Sequence, residues 1–112
     1  MKGYQVTFYT QQDRRHGSET MAEWLLGLAQ AHGALGGTMF SAGEGFGHTG
    51  RFHSAHFFEL ADQPIGIVVV LDEANCDHLL GAIRREEADV FYVKTQVEYG
   101  RTTDIPGRTA SD

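Results

Sequence analysis

The residues best suited to chemistry lie in one short stretch. Four of the eight residues from Gly43 to Gly50 are glycine. Within them, Gly45-Phe46-Gly47-His48-Thr49-Gly50 spells G-x-G-x-x-G. As a dinucleotide fingerprint this string must close a strand and open a helix. Arg51 to Leu60 shows no helical stripe, and no parallel βαβα series surrounds it, so the Rossmann reading is set aside. Two uses remain open. Successive backbone N–H groups can cradle a phosphate as a nest, or the glycines can serve as a hinge for a longer excursion.

Three histidines, His48, His53 and His56, follow within nine positions, with Glu44 and Glu59 nearby. Imidazoles suit zinc or copper. In an extended segment, however, His53 and His56 point to opposite sides, and no H-E-x-x-H pattern or neighbouring cysteine completes a set. The polar run Gln11-Gln12-Asp13-Arg14-Arg15-His16 reads either as a solvated turn with an internal Asp–Arg pair or as two guanidiniums offered to an anion. No Ser–His–Asp order or paired carboxylates with a supporting context stand out, so an enzyme is not expected.

The chain that must position these residues has 112 of them, one domain's length. Its formal net charge is -6, from 15 acidic and 9 basic residues, which argues against a general nucleic-acid binder. A local anion site remains compatible, since Arg14, Arg15, Arg51 and Arg101 all fall outside the predicted helices. The longest apolar run, Ile67 to Leu71, is too short to cross a bilayer. Met1-Lys2 leads straight into a strand pattern without a signal peptide's apolar core, so a cytoplasmic location is expected. Cys76 is the only cysteine and sits on an apolar helical stripe, which reads as a buried, inert thiol.

Tyr4, Val6 and Phe8 alternate with Gln5, Thr7 and Tyr9, predicting a half-buried first strand. Gln11 to Gly17 reads as a loop. Thr20 with Glu23 fits a capping box, Ser18 being a rival cap. Met21, Trp24, Leu25 and Leu28 then give a helix from about Glu19 to His32, stopped by Gly33. A short strand is predicted near Gly37 to Ala42, followed by a long loop over about 43–64, in which Ser54 to Leu60 reads as a ribbon or a mobile segment. Ile65 to Leu71 is continuously apolar, the signature of a strand covered on both faces. Asp72 or Asn75 caps a second helix carrying Cys76, Leu79, Leu80 and Ile83 inward, with Arg84 and Arg85 at its end. Phe91, Val93, Val97 and Tyr99 alternate with Tyr92, Lys94, Gln96 and Glu98, a last strand with one wet face. Arg101 to Asp112 reads as a loose tail outside a single domain of residues 1–100. Two split βαβ units make an antiparallel four-stranded sheet with both helices on one face, the ferredoxin-like α+β sandwich. The other face needs a cover, which self-association would supply.

Several strings carry a family resemblance. Lys2-Gly3-Tyr4, Phe8-Tyr9-Thr10-Gln11-Gln12-Asp13-Arg14-Arg15-His16 and Glu23-Trp24-Leu25-Leu26 resemble the small bacterial family called domain of unknown function 190. So do Gly45-Phe46-Gly47-His48, Arg51-Phe52-His53-Ser54-Ala55, Glu59-Leu60-Ala61-Asp62-Gln63-Pro64 and Val90-Phe91-Tyr92-Val93-Lys94-Thr95. The likeness spans about residues 1 to 100. That family is placed with PII-like proteins, similar in fold to PII signalling proteins and CutA. The resemblance implies a homotrimer, a ligand in the clefts between subunits, and a long T-loop that contacts a client protein. Gly45, Gly47, His48, Thr49, Gly50 and Arg51 stand where PII lines the phosphates of ATP or ADP, so an adenine nucleotide is the implied ligand. Lys94 and Arg101 are further candidate cations, although they match no PII motif. The loop after the second helix, rich in glycine and lysine in PII, reads Arg84-Arg85-Glu86-Glu87-Ala88-Asp89 here. PII's modified T-loop tyrosine has no counterpart between Gly50 and Ile65. The alternatives are a CutA-like metal module using His48, His53 or His56, and a ligand-independent accessory subunit of a membrane transporter.

Overall fold

A computed structural model describes residues 1–41, 44–46, 52–54 and 64–107. Strand β1 (Lys2–Gln11) leads into a two-stranded hairpin, β2 (Arg15–His16) and β3 (Glu19–Thr20), then helix α1 (Met21–Ala31). Strands β4 (Gly37–Ser41), β5 (Glu44–Phe46), β6 (Phe52–Ser54) and β7 (Pro64–Leu71) follow. Helix α2 (Glu73–Arg85), strand β8 (Phe91–Glu98) and a 3-10 turn at Thr102–Asp104 complete the order. The main sheet runs β4-β7-β1-β8, every pair antiparallel. This is the ferredoxin-like arrangement read from the sequence. A local departure lies in Gln11–Gly17. There, Arg15 pairs with Thr20 and His16 with Glu19, making a hairpin rather than an irregular loop. His16 stacks on Trp24 at 3.7 Å between ring centroids, and the Arg15 guanidinium donates to the Ser18 carbonyl.

Both helices start as their sequences dictate. Thr20 accepts from the Glu23 amide at 3.1 Å, and its hydroxyl donates to the Glu23 carboxylate at 2.8 Å. This satisfies an amide that the first helical turn otherwise leaves unpaired. Asp72, not Asn75, caps α2 by accepting from the Asn75 amide at 2.8 Å. The core lies between the sheet and the helix layer. Val6 and Phe8 of β1 and Ile67, Val69 and Leu71 of β7 meet Leu25 and Ala29 of α1 and Cys76 and Leu79 of α2. Burying such side chains gives roughly 1.5–3 kcal/mol each before conformational entropy is subtracted.

Among the described residues, the side chains of the opposite sheet face are exposed or half-buried. Register places Phe40, Gly66, Tyr9 and Phe91 in one row across all four strands. Thr38, Val68, Thr7 and Val93 form the next row. Phe91 is 68% exposed and Val93 45%. The Phe40 ring lies over Gly66, where any Cβ would meet it. Two expectations are corrected here. Strand β7 is covered on one face only within the chain, since Val68 and Val70 are half-buried. In β8 the alternation holds but its faces are reversed. Tyr92 and Lys94 register with Phe8 and Val6 and so face the helices, whereas Phe91 and Val93 join the open face. Cross-strand partners share a face, so the apolar stripe of β8 serves a surface outside its own core.

Candidate functional site

The two βαβ halves give two helix-to-strand turns, and each borders a groove. After α2, the chain closes a Schellman motif: the Glu87 amide donates to the Arg84 carbonyl at 2.9 Å and the Ala88 amide to that of Ile83 at 3.4 Å. After α1 the same motif recurs, from Gly33 to Gln30 at 3.2 Å and from Ala34 to Ala29 at 2.9 Å. Both motifs need a left-handed residue. In the first half it is Gly33, φ 86°; in the second it is Glu87, φ 55°. A side chain there costs on the order of 1 kcal/mol relative to glycine. The sequence's glycine-free loop is therefore built as a glycine turn with a carboxylate in the glycine's place.

The second groove is the larger, about 570 Å3, within the range of small-molecule sites. Leu80, Gly81 and Arg84 of α2 form one side. Glu87, Ala88 and Asp89 form the rim, and Val90, Tyr92 and Phe8 line the sheet side. Its charged lining is one guanidinium against two carboxylates. The first-half groove, about 360 Å3, is lined by Leu26, Ala34, Leu35 and Val69 among others and has Gln30 as its polar side chain.

Position in the sheet distinguishes them further. Strand β8 enters opposite Tyr9, β7 opens at Pro64 beside Gln11, and β4 ends at Ser41 beside Ile65. The α2–β8 groove therefore lies at the end of the sheet where the chain leaves at residue 41 and returns at 64. It is two strands from Pro64, about 10 Å at the usual strand spacing. The first-half groove lies at the other end, where the Leu35 amide meets the Val70 carbonyl. Thr10, 7% exposed, also lies at the excursion end, and its hydroxyl has no partner among the described residues.

Of the residues singled out in the sequence, Gly45 lies in β5 opposite His53 in β6. Gly47, His48, Thr49, Gly50, Arg51 and His56 lie outside the described residues. Lys94 faces the helices. Its ammonium is 3.8 Å from the Asp77 carboxylate and 4.1 Å from the centroid of the Tyr4 ring. Arg101 follows Tyr99, whose amide meets the Met1 carbonyl at the opposite end from the excursion. Within one chain, then, Lys94 and Arg101 do not converge with β5. Sequence reasoning missed the groove itself. Its signal was the anomalous composition of 84–89 at a turn where glycine is normal.

Beneath the Lys94 pair, burial pushes the Cys76 thiol above its ordinary value; Lys94 opposes this and Asp77 adds to it. A protonated, buried thiol is a poor nucleophile. Among the described residues no three His, Cys, Asp or Glu side chains gather as a metal site, and no helix is long and apolar enough to cross a membrane.

The comparisons fit this architecture. The family model for domain of unknown function 190, described as an uncharacterized ACR, matches residues 3–99. The chain belongs to that family. No match was found among curated proteins. In fold the chain is similar to solved PII-like proteins. CPII from Thiomonas intermedia K12, a nitrogen regulatory PII-like protein bound to ADP, AMP and bicarbonate, superposes with a TM-score of 0.65 at 18% identity. The match covers 92% of both chains. A putative PII-like signaling protein from Thermus thermophilus gives 0.63 at 17% identity, covering 86% of this chain and 87% of the other. The apo form of CPII gives 0.52 at 20% identity, covering 87% and 92%. At these identities the likeness establishes the fold.

Proposed function

We propose that this protein is a non-catalytic PII-like regulator that binds a small anionic ligand, an adenine nucleotide, in clefts between the subunits of a homotrimer. The observation that carries this reading is the α2–β8 groove. It opens at the end of the sheet from which the long excursion leaves, in a fold shared with CPII, whose structures carry ADP and AMP. The uncovered apolar rows of the sheet support the assembly. A second copy there removes Phe91, Val93 and Tyr9 from water. Backbone amides near Gly45 to Gly50, with Arg51, take the phosphate. Binding shifts residues 43–64 between conformers that a client protein distinguishes.

A thermal-shift screen across nucleotides and divalent metals tests this, with Arg51→Ala beside the wild type. Saturable stabilisation by an adenine nucleotide, weakened in Arg51→Ala, supports the reading. Stabilisation by zinc or copper alone, lost in His53→Ala, would favour a CutA-like module instead. Co-purification with a transporter that needs no small ligand would favour the accessory-subunit reading.

A further inference from the structure

The groove's own chemistry suits one end of such a ligand and not the other. Its walls are apolar and aromatic: Leu80, Val90, Phe8 and Tyr92. Its charges, Arg84 against Glu87 and Asp89, repel a polyphosphate more than they attract it. Glu87 is the telling residue. The chain uses glycine at the matching turn of its first half, Gly33, and keeps a left-handed glutamate here. A carboxylate held in an unfavourable backbone conformation beside a cavity points to a task for that carboxylate. We propose that the α2–β8 groove binds the nucleoside end of the ligand. The aromatic walls take the base, and the Glu87 carboxylate accepts hydrogen bonds from ring amine or ribose hydroxyl donors. The phosphate then points out of the groove, away from the carboxylates. This deepens the nucleotide reading above and rests on it.

Calorimetric titration of adenosine, AMP, ADP and inorganic pyrophosphate into the intact protein tests the orientation. Adenosine is expected within about tenfold of AMP in affinity, because most contacts are made by the nucleoside. Pyrophosphate is expected not to displace it. Glu87→Gly relieves the left-handed strain and should raise the melting temperature by about 4 °C, while weakening adenosine about fivefold or more. That opposition separates a ligand contact from a structural role. Gly81→Leu fills the groove from α2. A Cβ there meets only the end of the Arg85 side chain, at 3.4 Å, so the fold accepts it while adenosine binding is lost. Binding of AMP and ADP without adenosine, or displacement of AMP by pyrophosphate, overturns the orientation and leaves the nucleotide reading standing. Unchanged adenosine affinity in Glu87→Gly or Gly81→Leu does the same. Binding of no nucleoside and no nucleotide removes both.

Discussion

Phe91→Asp is the sharpest probe of the open sheet face. Phe91 heads an edge strand and is 68% exposed; its aromatic neighbour is Tyr9, with ring centroids 6.0 Å apart. Its removal therefore takes little from the single chain. In an assembly that covers the face, the balance differs. A buried aromatic removes roughly 150–250 Å2 from water. With two thirds of that still exposed here, association would bury roughly 100–170 Å2 more at Phe91. Two thirds of the roughly 1.5–3 kcal/mol for a fully buried side chain is about 1–2 kcal/mol for each chain that joins. An aspartate forfeits that and places a charge among apolar neighbours. Sedimentation velocity over a hundredfold range of concentration, with circular dichroism as a check on folding, reads the outcome. The wild type is expected at trimer mass and Phe91→Asp at monomer mass with a native spectrum. A wild type that stays monomeric at every concentration, or a folded Phe91→Asp that keeps the wild-type mass, would refute the reasoning.

Other substitutions test the fold and its titrating groups. Thr20→Ala removes the cap on α1 and should cost about 1 kcal/mol in urea unfolding. Gly3→Ala puts a Cβ against the Leu71 carbonyl oxygen and 3.1 Å from Asp72 Cα, backbone atoms that cannot swing aside; roughly 1–3 kcal/mol should be lost. Cys76 favours its protonated form in the folded chain. Its contribution is therefore intact below the ordinary value of 9.0 and declines as pH rises through the raised one. Urea unfolding between pH 8 and pH 10 should show a steeper loss in the wild type than in Cys76→Ala. Lys94→Gln breaks the contacts with Asp77 and Tyr4. It should lower stability by about 1 kcal/mol and leave AMP affinity within about twofold; a tenfold loss of affinity would place Lys94 in the binding site.

The elements were legible because local signals agreed with one another. Thr20 with Glu23 announced α1, and Met21, Leu25, Cys76, Leu79 and Ile83 kept helical spacing because each faces the core. What misled was the meaning of alternation in β8. Period two says that a strand has two faces, not which face its own helices cover. Phe91 and Val93 are apolar for a surface that a single chain leaves open, whereas Lys94 reaches the helix layer because Asp77 and Tyr4 receive its charge. The hairpin at Arg15–Thr20 was hidden because its residues are polar and its strands are two residues long. The groove could not be read from periodicity, since its wall needs Phe8 of β1, far in sequence from the α2–β8 turn. Only the missing glycine at Glu87 hinted at it.

Hydrogen–deuterium exchange with and without ADP tests most directly whether one ligand engages the α2–β8 turn and the excursion together. Slowed exchange is expected in peptides covering 80–92 and also in those covering 43–64, with the rest of the sheet unchanged. Saturating ADP that leaves the 80–92 peptides exchanging at their unliganded rate would contradict it.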